Sequence, residues 1–157
     1  MTNPSEDLVT PQAVVFSLQA SSREECFKEM IEFLISEKLL PADLRKDVLT
    51  ALEARESQLT TAIGKELALP HASVKGLPSV VRLIARSSDG IDCDAPDKDL
   101  VKFFYLSLIP DTDYSTHLRT IAAVSKFFHE PDCMRRIKSS TTAKELLDAF
   151  SAKSANA

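Results

Sequence analysis

No stretch of this 157-residue sequence approaches the run of about 18 to 20 apolar residues that a membrane-spanning helix requires. The opening residues, MTNPSEDLVTPQ, are polar and acidic and have no apolar centre, so they do not read as a secretory leader. A cytoplasmic location without membrane insertion is the expectation. An excess of positive charge is missing too: 19 Lys and Arg stand against 23 Asp and Glu, for a formal net charge of -4. With no basic run either, nucleic acid and anionic membrane surfaces are disfavoured as partners. Cysteine is scarce, and Cys26, Cys93 and Cys133 are odd in number at wide, unpatterned spacings. That fits neither a disulfide framework nor a pair of zinc knuckles, and they read as reduced thiols. There is no internal repeat, no low-complexity segment, no P-loop and no zinc-ligand spacing, so neither a cofactor nor a metal is implied.

What remains is the make-up of one soluble domain, residues 1–157, with a core from about residue 9 to residue 150; 44% hydrophobic and 27% charged residues are ordinary for such a fold. Ala13 to Leu18 has strand character. SSREECFKEMIEFLISEKLL then reads as a helix, with Ser22 and Glu25 at capping-box spacing and one apolar stripe from Cys26 to Ile35. Pro41 and Asp43 open a second helix with an apolar face through Leu44, Val48, Ala51 and Leu52, and Arg55 comes next on it.

Beyond the polar SQLTT and Gly64, strands are expected at LALPH, at Ser79 to Ser87 and at Leu100 to Ile109, with SDGIDCDAPDKD looping between the last two. Ser115 is placed to cap a helix turning Leu118, Ile121, Ala122, Val124 and Phe128 inward until HEPD stops it. Asp132 is the expected cap of a short turn, CMRRIK, and Thr142 with Glu145 repeats the capping-box spacing before AKELLDAF; SAKSANA reads as a frayed tail. Strands mixed with four or five helices indicate an α/β fold, a sheet covered by helices.

Three side chains stand out. Pro70 fixes the backbone just ahead of His71, which is thereby delivered at a strand end, where sites are commonly built. From spacing alone a satisfied structural histidine is the commoner outcome. His117 follows Ser115 and Thr116 near a helix start, where free N–H groups favour an anion such as phosphate, or where it is simply solvated. Arg55 either aims a guanidinium at a buried anion or complements the end of its own helix. His129, beside Glu130 and Pro131, reads as a solvated helix cap.

The segment ESQLTTAIGKELALPHASV resembles the active-site segment of the fructose/mannitol-type and nitrogen-regulatory enzyme IIA proteins of the bacterial phosphoenolpyruvate-dependent phosphotransferase system. Those typically read R-E-x-x-x-[ST]-T-G-I-G-x-G-[IL]-A-[ILV]-P-H. Arg55 and Glu56 match its start, Thr61, Ile63 and Gly64 its turn, and Ala68, Pro70 and His71 its end; DTDYSTHLRTIAAVSKFF is similar to the family's second histidine motif, through His117 and Leu118. The resemblance runs from about Val9 to Phe150. It implies a three-layer fold with a mixed β-sheet between helices, and a phosphocarrier in which His71 accepts a phosphoryl group at Nε2, with Nδ1 held by the protein and His117 and Arg55 flanking it. The implied donor is the small carrier HPr or its nitrogen-branch relative.

Three roles are then open: a regulatory protein whose phosphorylation selects its target proteins, an enzyme IIA passing phosphate to an enzyme IIB cysteine for fructose or mannitol uptake, or a partner-binding module that is no longer phosphorylated. Ala62, Glu66 and Ala72 stand where the family commonly has glycine. Glu66 would repel a phosphoryl dianion unless it is directed away from His71.

Overall fold

The computed structural model describes residues 8–155. Its strands are β1 (Ala13–Val15), β2 (Ala62–Gly64), β3 (Leu67–Ala68), β4 (His71–Val74), β5 (Val81–Ile91) and β6 (Val101–Pro110); its helices are α1 (Arg23–Ser36), α2 (Arg45–Gln58), α3 (Tyr114–His129), α4 (Pro131–Ser139) and α5 (Ala143–Ala155). The strands form one mixed sheet in the order β1-β5-β6-β3-β2, with β4 also on β6. β1 runs parallel to β5, β5 antiparallel to β6, and β3 and β4 both parallel to β6.

Helices cover both faces, and the side-chain alternation of the central strands divides the core accordingly. Leu83, Phe104 and Leu106 face one way, where they pack with Phe27, Met30 and Leu52 of α1 and α2. Ile84, Phe103 and Tyr105 face the other, against Val124, Ile137 and Phe150 of α3, α4 and α5. A central strand buried on both sides reads as a continuous apolar run, which is why VKFFYLSLI is so uniformly hydrophobic. This is the expected three-layer α/β arrangement.

Local geometry corrects several boundaries. LALPH is not one strand: β3 pairs with Phe103 and Phe104, the chain lifts off at Leu69 and Pro70, and β4 rejoins β6 with His71 opposite Ser107. The preceding residues, expected to break the pattern, form the short β2, antiparallel to β3. β5 runs on through Ser88, Asp89 and Gly90 to Ile91, so the loop to β6 is shorter than its composition indicates. A single 3-10 turn, Ala42–Leu44, precedes α2.

Caps differ as well. Ser22 and Thr142 each accept from the backbone N–H three residues on, as expected, but Glu25 and Glu145 reach back to Ser21 and Thr141 rather than to the cap residues. Asp113, not Ser115, caps α3 by accepting from Thr116 N–H, and α4 opens at Pro131 with Glu130, not Asp132, at its cap position. α5 continues to Ala155, through most of the tail expected to fray; Asn156 and Ala157 lie outside the described residues. α3 is also rotated from the expected face: Val124 and Phe128 point inward with Thr120 and Phe127, whereas Leu118 is 51% exposed and Ile121 38%.

Cys26, Cys93 and Cys133 are buried free thiols; burial pushes Cys93 up to about 12. Among the described residues no helix is long and apolar enough to cross a membrane.

Candidate functional site

His71, Arg55 and His117 come from three separate elements and meet at one end of β4. The break at Leu69 and Pro70 sets this up. Pro70 has no N–H to give the sheet, its carbonyl accepts from Ser107 N–H at 3.0 Å, and the next residue re-enters pairing with its ring partly open. His71 Nδ1 lies 2.9 Å from Leu69 O, and a carbonyl can only accept, so Nδ1 carries the hydrogen. Arg55 Nε then donates to His71 Nε2 at 3.3 Å, which requires a lone pair there. The two bonds together specify the neutral Nδ1–H tautomer with a nucleophilic Nε2 facing a guanidinium.

Arg55 lies in the last turn of α2 and Nη1 donates to Leu59 O at 2.8 Å, so it both completes its helix end and reaches His71. The His117 ring sits 6.0 Å from that of His71, centroid to centroid, tilted by 56°. Tyr114, 71% exposed, stacks on the outer side of His117. His129 stays apart, exposed at the end of α3 with Nδ1 against Ser125 O. Among the described residues no cluster of His, Cys, Asp or Glu could hold a metal ion.

Burial is the main influence on His71 and holds its pKa below the 6.5 of an ordinary histidine; Arg55 and His117 push the same way, against the Leu69 hydrogen bond and Glu56. The folded value lies below the unfolded one, so the native state binds fewer protons in that range. The associated stability is present above the ordinary value and lost as pH falls through it towards the folded value. An NMR titration of the His71 imidazole is expected to show a midpoint below 6.5 and a neutral ring at pH 7; a midpoint above 6.5 would contradict the bonding just described.

Glu56 is a residue the sequence reading passed over. It is 5% exposed; Oε2 accepts from Thr61 N–H at 2.8 Å and Oε1 from the Thr61 hydroxyl at 2.8 Å. The turn from α2 into β2 is thereby tied to the helix carrying Arg55. A signal existed in the sequence: Val48, Leu52 and Glu56 follow at intervals of four, placing Glu56 rather than Arg55 on the buried stripe.

The departures from the family's glycines have local explanations. Ala62 and Ala72 sit in strands without positive φ. Gly64 is kept at φ +91, where a Cβ would also meet Asp97 Oδ2 at 3.0 Å. Glu66 has a left-handed φ of 69, a conformation that suits glycine, but its carboxylate is held by Lys102 at 3.7 Å and Lys138 at 3.5 Å. Lys102 precedes Ser107, the partner of His71 on β6, by five residues, roughly 16 Å of strand. Glu66→Gln is therefore expected to leave phosphoryl acceptance within roughly twofold of the parent, since these exposed ion pairs are weak; a larger change measured by intact mass over time would show that the carboxylate acts on the site.

Solved proteins share this architecture. Nitrogen regulatory protein IIA-Ntr from Neisseria meningitidis superposes with a TM-score of 0.77 at 23% identity, over 87% of this chain and 92% of that one. The mannitol IIA of Escherichia coli gives 0.70 at 16% identity, over 87% and 94%; the same enzyme has been solved with phosphorylated enzyme IIB. These likenesses define the fold class, that of the nitrogen-regulatory and mannitol IIA proteins.

The family follows from sequence. The family model described as "Phosphoenolpyruvate-dependent sugar phosphotransferase system, EIIA 2" matches residues 7–153, and the chain belongs to that family: it is an EIIA-type phosphocarrier, a component of the phosphotransferase system. Its relatives include a nitrogen regulatory protein of Bradyrhizobium diazoefficiens, 27% identical over 91% of this chain and 92% of the relative. A fructose-specific EIIA component of Haloferax volcanii is 29% identical over 90% and 96%.

Proposed function

We propose that His71 is the phosphoryl acceptor, with Arg55 and His117 as its flanking groups, in a cytoplasmic carrier that serves regulation. The observation that carries this is the pair of hydrogen bonds fixing His71: Nδ1–H is committed to Leu69 O and Nε2 is left with its lone pair toward Arg55. Such an imidazole needs no base. Its Nε2 attacks the phosphorus of a donor phosphohistidine on HPr or its nitrogen-branch relative. The new P–Nε2 bond forms as the donor's N–P bond breaks, and the electron pair returns to the donor ring. Bond types are the same on both sides, so the transfer is reversible.

Arg55 then exchanges its bond to Nε2 for one to a phosphoryl oxygen, a stronger, charge-assisted contact. His117, across from His71, donates a second. Leu59, Tyr114, Leu118 and Ile121 are exposed apolar residues tied to this machinery: Leu59 through the Arg55 bond, Tyr114 through its stack on His117, and Ile121 through the cavity it shares with His71. An apolar rim around a reacting histidine suits docking of a protein donor.

A regulatory role is supported by the similarity to the Bradyrhizobium nitrogen regulatory protein; the fructose-specific relative supports the alternative, delivery to an enzyme IIB cysteine during sugar uptake. Onward transfer separates them. The phosphorylated chain, mixed with fructose- and mannitol-type enzyme IIB, is expected to keep its phosphoryl group while binding of regulatory targets changes with phosphorylation; rapid loss of phosphate to an enzyme IIB cysteine would establish the uptake role instead.

A further inference from the structure

Two buried polar atoms on one face of α3 have no hydrogen-bond partner among the described residues: Nδ1 of His117 and Oγ1 of Thr120. Thr120 is 1% exposed, and leaving a buried hydroxyl unpaired is unfavourable, so its occurrence calls for a cause. Its surroundings supply one. Thr120 lines a cavity of about 150 Å³ between α3 and the sheet whose other walls include His71 and Ser107, the residue opposite His71 in the β4–β6 register. That volume holds several waters, and the hydroxyls of Thr120 and Ser107 give them polar anchors.

His117 and Thr120 are three positions apart on a helix, a spacing that puts Cβ atoms about 5–6 Å from each other and allows a single water to join their polar ends. The lone hydrogen of a neutral imidazole sits on one nitrogen or the other. On Nδ1 of His117 it would be a buried donor with nothing to receive it, and Nε2 would have no hydrogen to offer a phosphoryl group. If instead Nδ1 accepts from a donor behind it, the hydrogen is on Nε2, the ring nitrogen that is not buried without a partner.

We propose that Thr120 is a positioning residue for His117: its hydroxyl, through a cavity water, donates towards Nδ1 and holds His117 as the Nε2–H tautomer that faces the phosphoryl group. The inference rests on the reading of His117 as a phosphoryl hydrogen-bond donor. It also gives the two histidines opposite tautomers, His71 with its hydrogen on Nδ1 and a free Nε2, His117 the reverse, which is what a nucleophile and a donor on the same phosphoryl group require.

The test compares Thr120→Val, which keeps the shape and removes the hydroxyl, with Thr120→Ser, which keeps the hydroxyl. Long-range ¹H–¹⁵N spectra of the unphosphorylated chain report the His117 tautomer directly. The parent and Thr120→Ser are expected to show Nε2–H, Thr120→Val a substantial share of Nδ1–H together with phosphoryl acceptance slower by roughly threefold to tenfold. Thermal unfolding of Thr120→Val should match or exceed the parent, because an unpaired buried hydroxyl has been removed, so slower transfer is not a folding defect. The same His117 tautomer in the parent and Thr120→Val would overturn the proposal. Should His117→Ala accept phosphate at the parent's rate, the site reading fails, and the tautomer comparison still decides the role of Thr120.

Discussion

His71→Ala will take up no phosphoryl group from any donor that phosphorylates the parent chain, and it will remain folded. The expectation of complete loss rests on chemistry rather than on a weakened contact: the variant has no Nε2 lone pair, and neither other histidine can replace it. His117 presents a different environment, with its Nδ1 buried, and His129 lies exposed at the far end of α3. The folded state is spared because His71 is the first residue of β4 and only partly buried, and its side-chain bonds go to Leu69 O and Arg55 rather than into either core. Intact-mass analysis beside circular dichroism reads both halves. Uptake of phosphate by a folded His71→Ala chain would move the acceptor elsewhere.

Glu56→Ala is expected to lower stability by about 2–4 kcal/mol, read as a fall in the denaturant midpoint at unchanged slope. The carboxylate satisfies the Thr61 N–H and the Thr61 hydroxyl, and both Glu56 and Thr61 are 5% exposed, so the substitution strands two donors away from water and opens a void beside Leu52 and Val48. The turn it ties down lies between Arg55 and β2, and Leu69 N–H bonds to Thr61 O at 3.0 Å, which links the same turn to the backbone carbonyl that orients His71. Phosphoryl acceptance should therefore slow even where the variant is fully folded. A midpoint within measurement error of the parent would mean that water replaces the carboxylate at no cost, contrary to the burial seen here.

How much of this was legible in the sequence depends on what kind of information fixed each part. Helices α1 and α2 and the strands β5 and β6 announce themselves through periodicity, because the residues that face the core are chosen by the packing they make. The split of LALPH at Leu69 and Pro70 is not periodic; it arises from a proline that leaves the sheet and a register opposite Ser107 that only the tertiary pairing defines. The rotation of α3 has a similar origin. Leu118 and Ile121 are apolar, so pattern alone turns them inward, but the helix lies with Thr120, Val124 and Phe127 against the sheet and leaves the apolar pair on the rim of the site.

The site divides in the same way. Arg55, His71 and His117 were singled out by residue type and by the family resemblance, and the structure brings all three together. Their tautomers and supports were not legible, since Leu69 O, Glu56, Ser107 and Thr120 act through contacts between residues distant in the chain. Glu66 shows the converse: a carboxylate alarming in sequence is answered by Lys102 and Lys138, whose approach depends on β6 and α4.

The central claim is that the phosphoryl group resides on Nε2 of His71. It is tested most directly by incubating ¹⁵N-labelled chain with phosphoenolpyruvate, enzyme I and HPr or its nitrogen-branch relative, then identifying the imidazole nitrogen bonded to phosphorus by ³¹P and ¹⁵N NMR. A single acid-labile phosphoryl group on His71 Nε2, with Nδ1 still carrying its hydrogen, is the predicted result. Phosphorus on Nδ1, on His117 or on His129, or no phosphorylation by any competent donor, would contradict it.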